Sequence, residues 1–142
     1  MRRYYEFAIV VTLIGTLALV LLGALNAVRD DMDEAIVQSE AANLRLGLAE
    51  VLTHREAFGG NLPQSSNPMD WVATKPDNYL GAFDVPPDTR SVWYFDRPAG
   101  ELVYRFHGGY LARFRLVKGG FGSDERLVIS GISLQRLDKR RE

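Results

Sequence analysis

Cysteine is missing from the 142-residue chain, so no disulfide, thiolate zinc site or cysteine nucleophile is available. Histidine is scarce. His54 and His107 are the only two, and they lie too far apart in sequence to suggest a histidine-built metal or catalytic centre. An excess of one charge is also missing: 17 Lys and Arg stand against 18 Asp and Glu, for a net charge of -1. That balance excludes a generally basic nucleic-acid binder. The nucleophile elbow G-x-S-x-G, the zinc motif H-E-x-x-H, the P-loop and the dinucleotide fingerprint G-x-G-x-x-G do not occur, so neither an enzyme nor a cofactor is expected. The run Gly119-Gly120-Phe121-Gly122 falls between expected strands, not between a strand and a helix, and reads as a turn.

What is present is an ordinary globular balance, 46% hydrophobic and 25% charged, very unevenly laid out. Phe7 to Val28 is an uncharged run of 22 residues. At ~1.5 Å per residue it reaches roughly 33 Å, enough to cross a hydrocarbon core of about 30 Å. A cleaved signal peptide is the rival reading. Its apolar region is shorter and ends in small residues, whereas cutting after Ala27 would put Leu25 where a small side chain is required. Arg2 and Arg3 precede the run, and Asp30, Asp31, Asp33 and Glu34 follow it. The positive-inside rule then places residues 1–6 in the cytoplasm and everything after Arg29 outside, which is the periplasm in a Gram-negative cell.

No proline interrupts residues 29–58, and Gly47 is the only glycine there. Val37, Ala41, Leu44, Leu48, Val51 and Leu52 recur on one face of a 3.6-residue period, and the opposite, solvent-facing positions are expected to carry Gln38, Glu40, Asn43, Arg45 and Glu50. Gly59-Gly60, followed by Pro63, is a stop signal. One helix from Tyr5 to Phe58 is therefore expected, membranous in its first half and amphipathic in its second.

Residues 59–90 read as a proline-rich loop anchored by Met69, Trp71, Tyr79, Leu80 and Phe83. Residues 91–142 read as an antiparallel sheet with a tail. Strands are expected near Ser91–Asp96, Glu101–His107, Tyr110–Val117 and Arg126–Leu134. Face parity selects the connections. A four-residue turn at 97–100 pairs Phe95 with Leu102 and Trp93 with Tyr104. A three-residue turn at 107–109 pairs Phe106 with Tyr110, whereas a two-residue Gly-Gly turn would put Arg105 among the aromatics. One face then carries Trp93, Phe95, Leu102, Tyr104, Phe106, Tyr110, Ala112, Phe114 and Leu116 and packs on the helix stripe. The fold class is α+β: a long helix against an antiparallel meander.

This layout, with Glu6 at the edge of the apolar run as Tyr5-Glu6-Phe7, resembles type IV pilins and type II secretion pseudopilins. Pilin-like subunits carry a glutamate as the fifth residue of the processed chain, and Glu6 is fifth once Met1 is removed. Asn67-Pro68, Pro76-Asp77-Asn78-Tyr79-Leu80-Gly81, Trp93-Tyr94-Phe95-Asp96 and Glu101-Leu102-Val103-Tyr104-Arg105 are similar to the globular part of minor pilin-like proteins such as MSHA-type pilus biogenesis components. Two family features are not matched: a leader ending in glycine ahead of Arg2-Arg3-Tyr4-Tyr5, and the cysteine loop. A start upstream, a removed leader and an unprocessed relative all remain open. The resemblance implies a membrane-anchored subunit or assembly factor of a pilus or pseudopilus. Its partners would be other pilin-like subunits, the inner-membrane assembly platform and lipid, with no nucleic acid. The alternative is a single-pass protein with an extracytoplasmic sensor or binding domain.

Six residues are singled out for assembly. The resemblance implies that Glu6 meets the amino terminus of a neighbouring subunit and sets register; an acid beside lipid is a functional candidate by default. Gly15 and Gly23 suit close helix packing or local loosening of the helix. Arg105, Arg113 and Arg115 alternate on the outer sheet face as a stripe for a partner. Glu50 with His54 reads as a surface pair, and Asp77, Asp84 and Asp88 as turn formers. Lys139-Arg140-Arg141 reads as a solvated tail.

Overall fold

The computed structural model describes residues 1–118 and 132–138. Helix α1 runs Arg2–Phe58, three residues earlier at its start than expected and ending where expected. Nothing in it forbids helix, since its 57 residues contain no proline. It stops because Gly59 turns away at a φ of 73° and its N–H caps the Arg55 carbonyl at 2.7 Å. At ~1.5 Å per residue α1 is roughly 85 Å long. Its first half, Phe7 to Val28, is exposed throughout and is long and apolar enough to cross a bilayer. Its second half buries Val37, Ala41, Leu44, Leu48 and Leu52, the stripe read from the period, with Val51 at the margin.

That stripe faces a five-stranded sheet: β1 (Tyr79–Phe83), β2 (Val92–Asp96), β3 (Glu101–Arg105), β4 (Leu111–Lys118) and β5 (Ile132–Arg136), in that spatial order. β2 to β5 form the antiparallel meander, with Trp93 opposite Tyr104 and Phe95 opposite Leu102 as parity required. The turn at 107–109 has three residues. The Phe106 N–H donates to the Tyr110 carbonyl at 3.0 Å, and Gly109 supplies a φ of 86°. Seven of the nine residues of the expected apolar face are buried in the core, along with Ile132 and Leu134, and the half-buried Tyr110 and Leu116 pack against it. The rings interlock: Trp93 meets Tyr104 edge-on at 5.0 Å, and Phe106 stacks on Tyr110 at 4.1 Å.

Three expectations change. The sheet is mixed, not a pure antiparallel meander, because β1 adds in parallel to β2 inside what reads as loop. β1 is inconspicuous in sequence: it is five residues long, Gly81 at its centre has a φ of 113°, and the pairing shifts register between Tyr79 and Ala82. Leu80 is not an anchor; it faces outward, whereas Met69 and Trp71 are buried around a 3-10 turn at Pro68–Asp70. The last strand continues to Arg136, and the 126–131 part of its expected range lies outside the described residues.

The parallel step from β1 to β2 has only residues 84–91 to return the chain to the start of β2. Extended at ~3.1 Å per residue, eight residues cover roughly 25 Å, more than the strand needs. The return crosses the outer sheet face, where Arg105 donates to the Pro87 carbonyl at 2.6 Å. Tyr94 and Val103 point to that face and are nevertheless buried.

Candidate functional site

The six singled-out residues fall into two groups. Glu6 is exposed, and its carboxylate lies 3.6 Å from Arg2 one turn earlier on the same helix. Gly15 and Gly23 are exposed too, and a side chain added at either would meet nothing within 4 Å of this chain. They leave two smooth notches on an apolar surface open to other helices. Gly47 is different: a Cβ there would sit 2.8 Å from Val72, so this glycine is used inside the domain.

Arg105, Arg113 and Arg115 share the outer sheet face, and each is ion-paired within the chain. Arg113 and Arg115 both donate to Glu101, at 3.0 and 2.6 Å. Arg105 pairs with Asp88 at 3.3 Å. Glu101 is nearly inaccessible, whereas Arg113 and Arg115 are about half exposed. The buried carboxylate therefore orients two guanidinium groups that still reach solvent. Tyr94 lies beside them, and burial raises its hydroxyl pKa before the nearby arginines offset part of that.

A third cluster, at the junction of α1 with the sheet, escapes the sequence reading. Period two places Arg136 on the core side of β5, in line with Ile132 and Leu134. Arg136 bonds Glu34 at 2.5 and 3.2 Å and Asp138 at 2.9 Å, and lies 5.8 Å from the Phe114 ring. Burial alone would raise the Glu34 carboxyl pKa. Hydrogen bonds from Arg136 and Gln38 outweigh it and hold the group below the usual carboxylate range. Asp138 behaves likewise: burial opposes, while Arg136 and the Arg113 backbone N–H lower it further. Its hydrogen bond to Glu34, against the cost of burial, keeps Arg136 firmly charged. A signal was present for Glu34 alone, since it precedes Val37 on the helix stripe by one turn.

Two helix residues read as solvent-facing also turn inward. Arg45 donates to the Leu134 carbonyl at 3.1 Å, and the Glu40 carboxylate accepts from the Trp93 indole. Closer to the apolar half, Asp33 accepts from the His107 backbone N–H at 3.2 Å and from Ser91 at 3.5 Å. Tyr104 lies under these acids. Burial first, then the charges of Asp33 and Glu40, push its hydroxyl up to about 12, so it stays protonated.

Gln38, Ala41, Arg45, Phe114 and Arg136 line an open cleft of about 330 Å³ over this junction. A second open cleft, of about 580 Å³, runs between α1 and residues 72–77, past Leu46 and Lys75. Among the described residues no three His, Asp or Glu side chains gather to hold a metal. Of the loop aspartates, Asp84 pairs with Arg97 at 3.0 Å and Asp88 with Arg105. His54 packs against Phe58 at 4.9 Å instead of approaching a third ligand. Lys139-Arg140-Arg141 lies outside the described residues. Chemically, the arrangement spends its charges on joining helix to sheet and leaves an apolar rod and two clefts for contacts. No family model, curated protein or solved structure matches this chain.

Proposed function

We propose that this chain is a pilin-like, membrane-anchored subunit or assembly factor of a type IV pilus or a type II secretion pseudopilus. One observation carries the reading: a single uninterrupted helix is apolar and unpartnered over its first half, then serves as the core face of a small sheet. Such a rod suits lateral packing in a membrane or filament, with the domain displayed at one end. Glu6 at the edge of the apolar run, beside exposed Arg2, supports a register role. In this reading the amino end is cytoplasmic, the sheet domain is periplasmic, and the protein resides in the inner membrane or the filament. Its work is assembly.

The test is to shear cells and follow the protein into filament and membrane fractions, with wild-type and Glu6→Ala chains. The expected result is recovery with sheared filaments, or loss of filaments when the gene is deleted. Filaments made normally in the deletion strain, and never containing the protein, would overturn the reading. Glu6→Ala is expected to abolish incorporation. Normal incorporation of that variant would remove the register role alone.

A further inference from the structure

The helix serves as a ruler. Between Gly23 and Gly47, α1 has neither glycine nor proline, so the sheet domain is carried on an unbroken helical continuation of the apolar segment. Asp30 and Asp33 lie two and five residues beyond Val28, roughly 3 and 7.5 Å along the axis. The polar layer of each bilayer leaflet is itself about 5–8 Å deep. Whatever packs beside Asp30 and Asp33 therefore sits at headgroup level when Phe7 to Val28 spans the membrane.

What packs there is the β3–β4 turn. Asp33 holds the His107 N–H at 3.2 Å, and a Cβ on Gly108 would lie 3.4 Å from the Asp30 carboxylate. The return loop reaches the same place, because Arg90 donates to the His107 carbonyl at 3.1 Å. Residues 88–90 and 107–109 are exposed, as are Arg29 and Asp31. This end of the domain thus offers two arginines to phosphate, and Asp30 with Asp31 to an ammonium group. The mixture of signs fits a zwitterionic headgroup better than a purely anionic one.

We propose that the turn at 107–109, with Arg90 and the Arg29–Asp31 turn of α1, forms a contact surface for zwitterionic phospholipid headgroups that seats the domain on the bilayer. The proposal rests on reading Phe7 to Val28 as a membrane span. It goes beyond anchoring, because it fixes which end of the domain meets lipid and holds the β2–β3 turn away from it. Ala99 in that turn is eight residues from His107 along the hairpin, roughly 26 Å at ~3.3 Å per residue.

The absence of cysteine makes the test direct. Single variants Thr89→Cys, His107→Cys, Ala99→Cys and Leu13→Cys, all at exposed positions, are labelled with a fluorophore. The full chains are reconstituted in phosphatidylethanolamine–phosphatidylcholine vesicles carrying a quencher on the headgroup or in the acyl chain. The expected result is loss of fluorescence at positions 89 and 107 with the headgroup quencher, none at 99, and loss at 13 with the acyl-chain quencher. Full fluorescence at 89 and 107, with position 13 quenched, would overturn the headgroup surface while leaving the span intact. An unquenched label at 13 would overturn the span and the surface together.

Discussion

Arg136 projects from the core side of β5, so its charge is met by Glu34 and Asp138 and only slightly by water. Both carboxyls sit below their ordinary range, which makes their ionised forms stabilising. That stability is complete above the unfolded values of about 4 and is lost as pH falls through the lowered folded values. Resistance to urea unfolding is therefore expected to fall below about pH 4, and Glu34→Gln is expected to flatten the dependence. At neutral pH the same substitution is expected to cost about 1–2 kcal/mol, less than for a fully buried pair, because Arg136 keeps Asp138 and these groups are partly exposed. An unchanged pH slope in Glu34→Gln would show that the pair carries no linkage. Gly47 supplies a second residue-scale test. Alanine favours helix by about 1 kcal/mol, but its Cβ would meet Val72 at 2.8 Å. Gly47→Ala is expected to destabilise the parent chain yet stabilise a Val72→Ala background by about 1 kcal/mol. A double-mutant cycle from denaturation midpoints reads that sign change.

At the scale of elements, the β3–β4 hairpin was legible because parity left one register that kept Arg105 off the aromatic face. The turn depends on Gly109 at a φ of 86°. Gly109→Val is expected to cost about 1–2 kcal/mol through left-handed strain on a β-branched residue, read as a lower urea midpoint with unchanged slope. A neutral result would mean that the turn relaxes without a bulge. The helix stripe Val37 to Leu52 was legible for the same kind of reason, since one period ran unbroken through it. β1 was not, because Gly81 and the register shift erase its alternation, and its parallel pairing with β2 across only residues 84–91 leaves no hairpin signal. The inward turns of Glu40, Arg45 and Arg136 were likewise hidden. Polarity suggested water, whereas each is satisfied by a group from a distant element: the Trp93 indole, the Leu134 carbonyl and the Glu34 carboxylate.

At the scale of the whole molecule, among the described residues, 1–28 bury nothing against the sheet domain and every core residue lies after Arg29. The two halves share a backbone and have separate sources of stability. The apolar rod is far larger than the patches that monomeric soluble proteins expose, so the full chain in buffer without lipid or detergent is expected to self-associate. Removal of residues 1–28 leaves Asp30, Asp31, Asp33 and Glu34 within the first two turns of a new helix, where acids favour the macrodipole, and takes away the continuous apolar rod, leaving Met32, Ile36, Leu46 and Phe58 as separate exposed apolar residues on α1. The shortened chain is expected to be monomeric by sedimentation. Its far-ultraviolet dichroism is expected to show the remaining helix and sheet, with stability that differs from that of the detergent-bound full chain by less than about 1 kcal/mol. The helix signal should fall in proportion to the residues removed and no further. Loss of cooperative unfolding in the shortened chain would mean that the rod holds the domain together, and that span and domain fold as one unit.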